Sequence, residues 1–324
     1  MTLELLSYLY LCALCFVLIK IKDKVRSVTY VFISLLFYSI IVRISGFDVD
    51  MKVYTDVLKK DDLDGFYYLK EPVYWYFSHY LYKVINSETW TFVIIDSMVF
   101  FLTIKSVKNL KLPVYTALAL LLFFPYLLGL QNVYRQLLAT VLLVYFYSIC
   151  YKNSSNGHKL FVFIIAGLTH NVALLFFPIY FLFKSKVSLI FFVLSGALIL
   201  ILLPYVVSYK SVSETGLELK WFYVSIIGIV CIISAFFYFT YDLLKINIFL
   251  CNLYLFVISL YASFILGGAQ SERLSMICLV LLLCNLFVQI ESRFKEKKTI
   301  AFITCVALFL PSFLFSSTFY FLTT

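Results

Sequence analysis

Apolar runs close to 20 residues long recur from one end of this 324-residue chain to the other. A helix of about that length is what a hydrocarbon core roughly 30 Å thick requires. The candidate spans are 3–20, 27–44, 89–104, 112–128, 131–151, 188–208, 221–241, 246–268, 274–291 and 299–322. Two further apolar stretches, 71–86 and 160–183, fit the pattern less simply. A water-soluble domain has no place for so much apolar surface: 63% of the residues are hydrophobic and 13% charged, and the mean hydropathy is +0.99. The expected fold is therefore all-α, a polytopic membrane helical bundle with about 10–12 transmembrane helices. No repeat, low-complexity tract or linker divides it, so residues 1–324 are expected to form one membrane domain. The first run lacks a preceding basic region and a following cleavage site, and reads as a retained span.

The eight cysteines all fall inside apolar runs. Cys12 and Cys15 have CxxC spacing, but no second pair or histidine follows at zinc-site distance, so they read as small packing residues. No phosphate-cradling glycine loop, HExxH or EF-hand pattern occurs. Asp48-Val49-Asp50 is a weak DxD-like pair. No metal and no cofactor are expected. The net charge of +9 belongs to loops of a membrane protein and does not argue for nucleic acid.

Basic residues orient the chain. Lys20, Lys22, Lys24 and Arg26 crowd the first loop; Lys105, Lys108 and Lys111 mark another; Lys152 and Lys159 a third; Arg293, Lys295, Lys297 and Lys298 the last. Placing these loops in the cytoplasm puts the N-terminus and the acidic stretch 45–88 outside. The Lys184-Ser185-Lys186 turn then constrains 160–183. A single crossing there would invert every later loop, and 24 residues are too few for two full helices, which need roughly 40. The economical solution is a re-entrant hairpin with its tip at "GLTHN" (167–171), set against protein or a wet cavity. A rival solution makes 71–86 a short span or breaks a neighbouring helix. Otherwise "EPVYWYFSHYLYKVIN" (71–86) is an amphipathic aromatic helix on the outer face, with Pro72 at its first position.

Few polar groups lie at membrane depth. Arg135, with Gln136 beside it, opens the fifth helix, although arginine at a helix centre costs about 2.5–3.5 kcal/mol on insertion scales. The orientation moves it to the outer end. Arg273, preceded by Glu272, opens a later span after Gly267-Gly268 on the same side. Two guanidiniums at helix starts make a diphosphate site: the charge is permanent, and bidentate bonds suit phosphate. The alternative is that each pairs with a carboxylate (Glu272 or Asp96) or snorkels to headgroups. His170 reads as a core histidine or, at the hairpin break, as a functional one. Asp96 is expected to pair with Arg43 or another interior arginine. Glu71 reads from spacing alone as an acidic residue in a helix's first turn, though a carboxylate there could also serve as a general base.

These residues come in an order that resembles a known family. An outer segment holds Asp50, Tyr54 and Glu71-Pro72; "N-x-x-R-Q-x-x-A" follows as Asn132, Arg135-Gln136 and Ala139; then come His170 and Glu272-Arg273-Leu274. The pattern resembles the EpsG-like branch of the Wzy-type polysaccharide polymerases, which include O-antigen polymerases. The resemblance implies a bacterial inner-membrane glycosyltransferase of the C-type class, with its active site facing the periplasm or exterior. It would join oligosaccharide repeat units carried on undecaprenyl diphosphate, with the growing chain as donor and a sugar hydroxyl as acceptor. In that reading Arg135 and Arg273 stabilise the leaving diphosphate, with Asn132 and Gln136 in support. Glu71 is the preferred base, and His170 is its competitor or a positioning group. Asp50, Tyr54 and Glu272 bind substrate, while Tyr74 and Trp75, with Tyr67, Tyr68 and Tyr76, stack on sugars or form a headgroup belt. The implied partners are the lipid-linked oligosaccharide, membrane lipid and a chain-length regulator. The rival readings are an O-antigen ligase, which typically has a larger outer domain, a flippase, for which internal repeats are expected and none is visible, and an O-acyltransferase built on His170.

Overall fold

The computed structural model describes residues 2–21, 25–47, 50–183, 186–208, 220–241, 246–294 and 296–323. Among them, seven helices are long and apolar enough to cross a membrane. They are α1 (Leu3–Lys20), α2 (Val25–Ile44), α6 (Glu88–Asn109), α12 (Lys186–Ser208), α14 (Ile246–Ile265), α15 (Gly268–Arg293) and α16 (Lys297–Leu314). α9 (Tyr134–Tyr151) is equally long and nearly all buried, but opens on Arg135 and Gln136. α13 (Lys220–Tyr241) packs against α14 and α15. The chain is a multi-pass helical membrane protein.

Two expected spans are broken. The run 112–128 divides into α7 (Tyr115–Leu121) and α8 (Phe124–Gln131). Pro125 lies in the first turn of α8, where its missing N–H leaves no bond unmade. The run 299–322 divides at Phe315, after which α17 (Ser316–Thr323) begins. The loop residues Lys22, Lys24, Lys184 and Lys295, and the Asp48-Val49 half of the DxD-like pair, lie outside the described residues.

Between α2 and α6 run three short helices, α3 (Asp50–Leu58), α4 (Phe66–Leu69) and α5 (Pro72–Ile85). Pro72 occupies the start of α5, and Asn86, at φ 52°, closes it in the left-handed conformation. α5 packs against α3, α4, α6 and α10 (Asn156–Thr169).

The chain from α10 onward doubles back. α10 runs antiparallel along α9, with Tyr145 against His158 and Phe146 against Phe163. His170 follows in extended backbone (φ −156°, ψ 122°), then a 3₁₀ turn (Asn171–Phe176) and α11 (Ile179–Leu182). Phe177 returns beside Phe163, with ring centroids 5.3 Å apart, and Phe183 reaches Tyr147 and Tyr151 near the far end of α9. His170 therefore sits at the tip of a hairpin. That tip lies at the end of the bundle where α9 starts.

The opposite end carries Lys20, Lys105, Lys297 and Lys298: Lys298 donates to the Lys20 carbonyl, Lys105 lies over the Tyr145 ring, and Lys297 pairs with Glu291. One series of polar groups runs from helix to helix inside the bundle. Tyr147 donates to Asn285, Asn285 to Asn252 and Asn252 to Ser234, linking α9, α15, α14 and α13. Such bonds fix helix register where no water competes.

Candidate active site

At the α9-start end the structure holds an open cavity of about 240 Å³. Its lining includes Asp50 and Tyr54 of α3, Tyr67, Trp75, Arg135 with Gln136, His170 and Arg273. Five helices and the hairpin tip at His170 supply these groups, so the cavity forms only when the bundle is assembled.

Arg135 is the centre of the arrangement. It lies in the first turn of α9, immediately after the elbow at Asn132 and Val133. Its guanidinium stands 4.9 Å from the Trp75 ring centroid, 5.7 Å from Tyr54 and 6.0 Å from Tyr67. Three π-faces of this kind hold a cation without neutralising it. Nη1 donates to a carboxylate oxygen of Glu71.

The other Glu71 oxygen accepts from Nδ1 of His170. Glu71 immediately precedes α5, and Trp75 is one helical turn later on the same face, which is why both meet Arg135. Glu71 is buried, and burial raises its pKa. The His170 hydrogen bond, the charges of His170 and Arg135 and the Asn171 backbone N–H outweigh that, leaving the carboxylate below its ordinary value. It is an acceptor committed on both sides. His170 lines the cavity with Nε2 free of any hydrogen-bond partner among the described residues.

The second arginine comes from α15. That helix starts at Gly268, so Arg273 lies in its second turn, deeper along the helix than a span beginning at 274 implies. Its side chain is exposed, and no carboxylate among the described residues pairs with it. The Gln136 amide donates to the Arg273 carbonyl at 2.7 Å. Both guanidiniums thus border one cavity, and α9 aims its helix N-terminus at the same place.

Of the eleven residues singled out in the sequence, Asp50, Tyr54, Trp75, Arg135, Gln136, His170 and Arg273 line the cavity. Glu71 stands behind them as the ion partner. Asn132 lies in the α8–α9 elbow and outside the lining. Glu272 also lies outside it, close to Tyr223 of α13. Tyr74 is buried behind the lining, against Tyr54 and Tyr134. Burial raises the Tyr54 hydroxyl pKa, with Arg135 pulling the other way, so it enters as a neutral hydrogen-bonding group. Asp96 pairs with Arg43 through two hydrogen bonds of 2.9 and 3.0 Å, leaving Arg135 to Glu71. The sequence did not indicate Tyr134, whose hydroxyl donates to Asp96 at 2.6 Å. The only available signal was a tyrosine beside an arginine at a helix start.

An EpsG family model matches residues 28–323, nearly the whole chain. No curated protein and no solved structure matches it.

Proposed function

The chain belongs to the EpsG family, whose members are polysaccharide-polymerase-type membrane proteins, and from that premise we propose that it is a lipid-diphosphate-sugar-dependent glycosyltransferase. It joins oligosaccharide repeat units carried on undecaprenyl diphosphate. In this reading the cavity opens to the outer face of the bacterial inner membrane; the basic loops around Lys20, Lys105 and Lys297–Lys298 at the opposite end support that orientation. The observation that carries the reading is the pair Arg135 and Arg273 on one cavity, the latter without a carboxylate partner among the described residues.

In the reaction an acceptor sugar hydroxyl attacks the anomeric carbon of the growing chain. The new glycosidic bond forms, the bond from that carbon to the phosphate oxygen breaks, and the lipid diphosphate leaves with the electron pair. Negative charge grows on the departing oxygens, where Arg135, Arg273 and the α9 N-terminus stabilise it. The acceptor proton goes to Nε2 of His170. Glu71 takes the Nδ1–H of the same ring, which selects the tautomer with a basic Nε2 and steadies the imidazolium that forms. Glu71 is thus a positioning group, since a carboxylate bound on both sides and held below its ordinary pKa is a poor base. Tyr67, which is half exposed, offers a face for a pyranose ring, and Asp50 offers an acceptor for its hydroxyls.

The test is purified protein incubated with lipid-diphosphate repeat units. A ladder of products with release of free lipid diphosphate supports the proposal. Release without elongation, or no release, overturns it.

A further inference from the structure

The buried Arg43–Asp96 pair lies outside the cavity, yet its geometry leads back to it. Asp96 of α6 accepts four hydrogen bonds: from Ser39 Oγ at 2.6 Å, from Arg43 Nε and Nη2, and from the Tyr134 hydroxyl at 2.6 Å. All four residues are buried. The Arg43 guanidinium also lies 5.0 Å over the Tyr134 ring and 5.4 Å over Phe92. A carboxylate and a guanidinium in this position are costly unless fully paired. Here each is matched, and one acceptor site is spent on the first residue of α9.

We propose that Asp96, charge-compensated by Arg43, is a positioning residue: through the Tyr134 hydroxyl it fixes the first turn of α9 and so aims the neighbouring Arg135 guanidinium into the cavity. The need for such a device follows from the local backbone. α8 and α9 meet at an irregular elbow, with Asn132 at φ −127°, ψ −69° and Val133 at φ −97°, ψ 56°. A helix start after such an elbow has no continuous helical backbone before it to fix its rotation. Two side-chain tethers supply that: Tyr134 to Asp96 on one side and Gln136 to the Arg273 carbonyl on the other. Arg135 lies between them. Arg43 has a second consequence. By saturating Asp96 it removes the buried negative charge that would otherwise compete with Glu71 for Arg135.

The catalytic consequence rests on the reading in which Arg135 holds the leaving diphosphate. The positioning itself can be measured without activity, because Trp75 stacks on Arg135 at 4.9 Å. The chain has three tryptophans, Trp75, Trp90 and Trp221. A Trp90→Phe/Trp221→Phe background therefore makes the emission of Trp75 a reporter of the guanidinium, calibrated by Arg135→Ala. In that background Tyr134→Phe removes one hydroxyl from α9, and Ser39→Ala removes an equally short bond to Asp96 from α2. A merely structural network predicts that the two behave alike. The proposal expects Tyr134→Phe to move Trp75 emission toward the Arg135→Ala value and to slow elongation by about 10- to 100-fold. Ser39→Ala should leave emission at the starting value and elongation within about 2-fold, because the hydrogen bond from Tyr134 to Asp96 survives it. Unchanged emission in Tyr134→Phe, or an equal shift in Ser39→Ala, overturns the proposal. Absence of elongation in the unsubstituted protein overturns the diphosphate reading instead, and the emission comparison still decides the positioning.

Discussion

The amide nitrogen of Gln136 donates to the backbone carbonyl of Arg273 across 137 residues of chain, at 2.7 Å. One bond thus ties the first turn of α9 to the second turn of α15, the two turns that carry the cavity's arginines. Gln136→Leu removes it at about 1 kcal/mol, the usual worth of a single hydrogen bond. Gln136→Glu does more, since it sets an anion in the lining that Gln136 shares with both arginines. The expected outcome is a small loss of melting temperature in Gln136→Leu. In Gln136→Glu, affinity for inorganic diphosphate, read as inhibition of elongation, should fall about 10-fold or more. Equal inhibition of both variants would mean that diphosphate does not meet this pair.

The two arginines should part company in stability. Arg135 neutralises the buried Glu71, so Arg135→Ala leaves a carboxylate short of its partner and lowers the melting temperature. Arg273 is exposed, and Arg273→Ala should melt like the unsubstituted protein. Elongation should fall in both by about 100-fold or more, the scale of a lost anion-stabilising donor. Arg135→Lys keeps charge but loses the planar group among three aromatic faces, and should recover only part of the activity. Thermal melts alongside ladder assays separate these effects.

Acid should expose the role of Glu71. Its folded pKa lies below the ordinary value of 4.5. The pairing therefore adds stability that is fully present above that value and drains away as pH falls through the lower, folded pKa. The unsubstituted protein should lose melting temperature on passing from pH 5 toward and below about pH 4. Glu71→Gln should start lower at pH 7 and show a flatter profile over the same interval. The same variant should slow elongation by about 10- to 100-fold by releasing the His170 tautomer. Parallel pH profiles would remove Glu71 from the ion network.

What the sequence made legible follows from the kind of interaction involved. Span existence is a property of local composition, so the helical bundle is readable from run lengths. Arg135 is conspicuous because of its solvation cost. The Glu71 contacts are different: Arg135 is 64 residues away and His170 99, and no local pattern records which carboxylate meets which cation. Arg273 shows the limits of hydropathy in another way. "GAQSER" is polar, so the apolar run begins at Leu274, but alanine, glutamine, glutamate and arginine are good helix formers and carry α15 back to Gly268. The break at Pro125 was visible as a residue and not as a consequence, because tertiary packing decides whether a proline kinks a span or restarts it.

Gly129 tests how tightly the elbow before α9 is built. A Cβ added there would lie 2.8 Å from the Cβ of Leu137, with Leu137 Cγ at 3.2 Å. The nearest atom is fixed to the backbone, so rotating the leucine side chain cannot relieve the contact, and α8 must move away from α9. Gly129→Ala should cost about 1–3 kcal/mol, the usual range for overpacking a filled site. It should also slow elongation, because the displaced turn carries Arg135. Leu137→Ala, which keeps its Cβ, should not rescue Gly129→Ala. Leu137→Gly should relieve the contact while adding the cost of a glycine in a helix, about 1 kcal/mol. Melting curves and ladder assays on the single and double variants check the order. Full rescue by Leu137→Ala would show that the contact involves only the flexible end of the leucine, and that the elbow does not hold Arg135 in place.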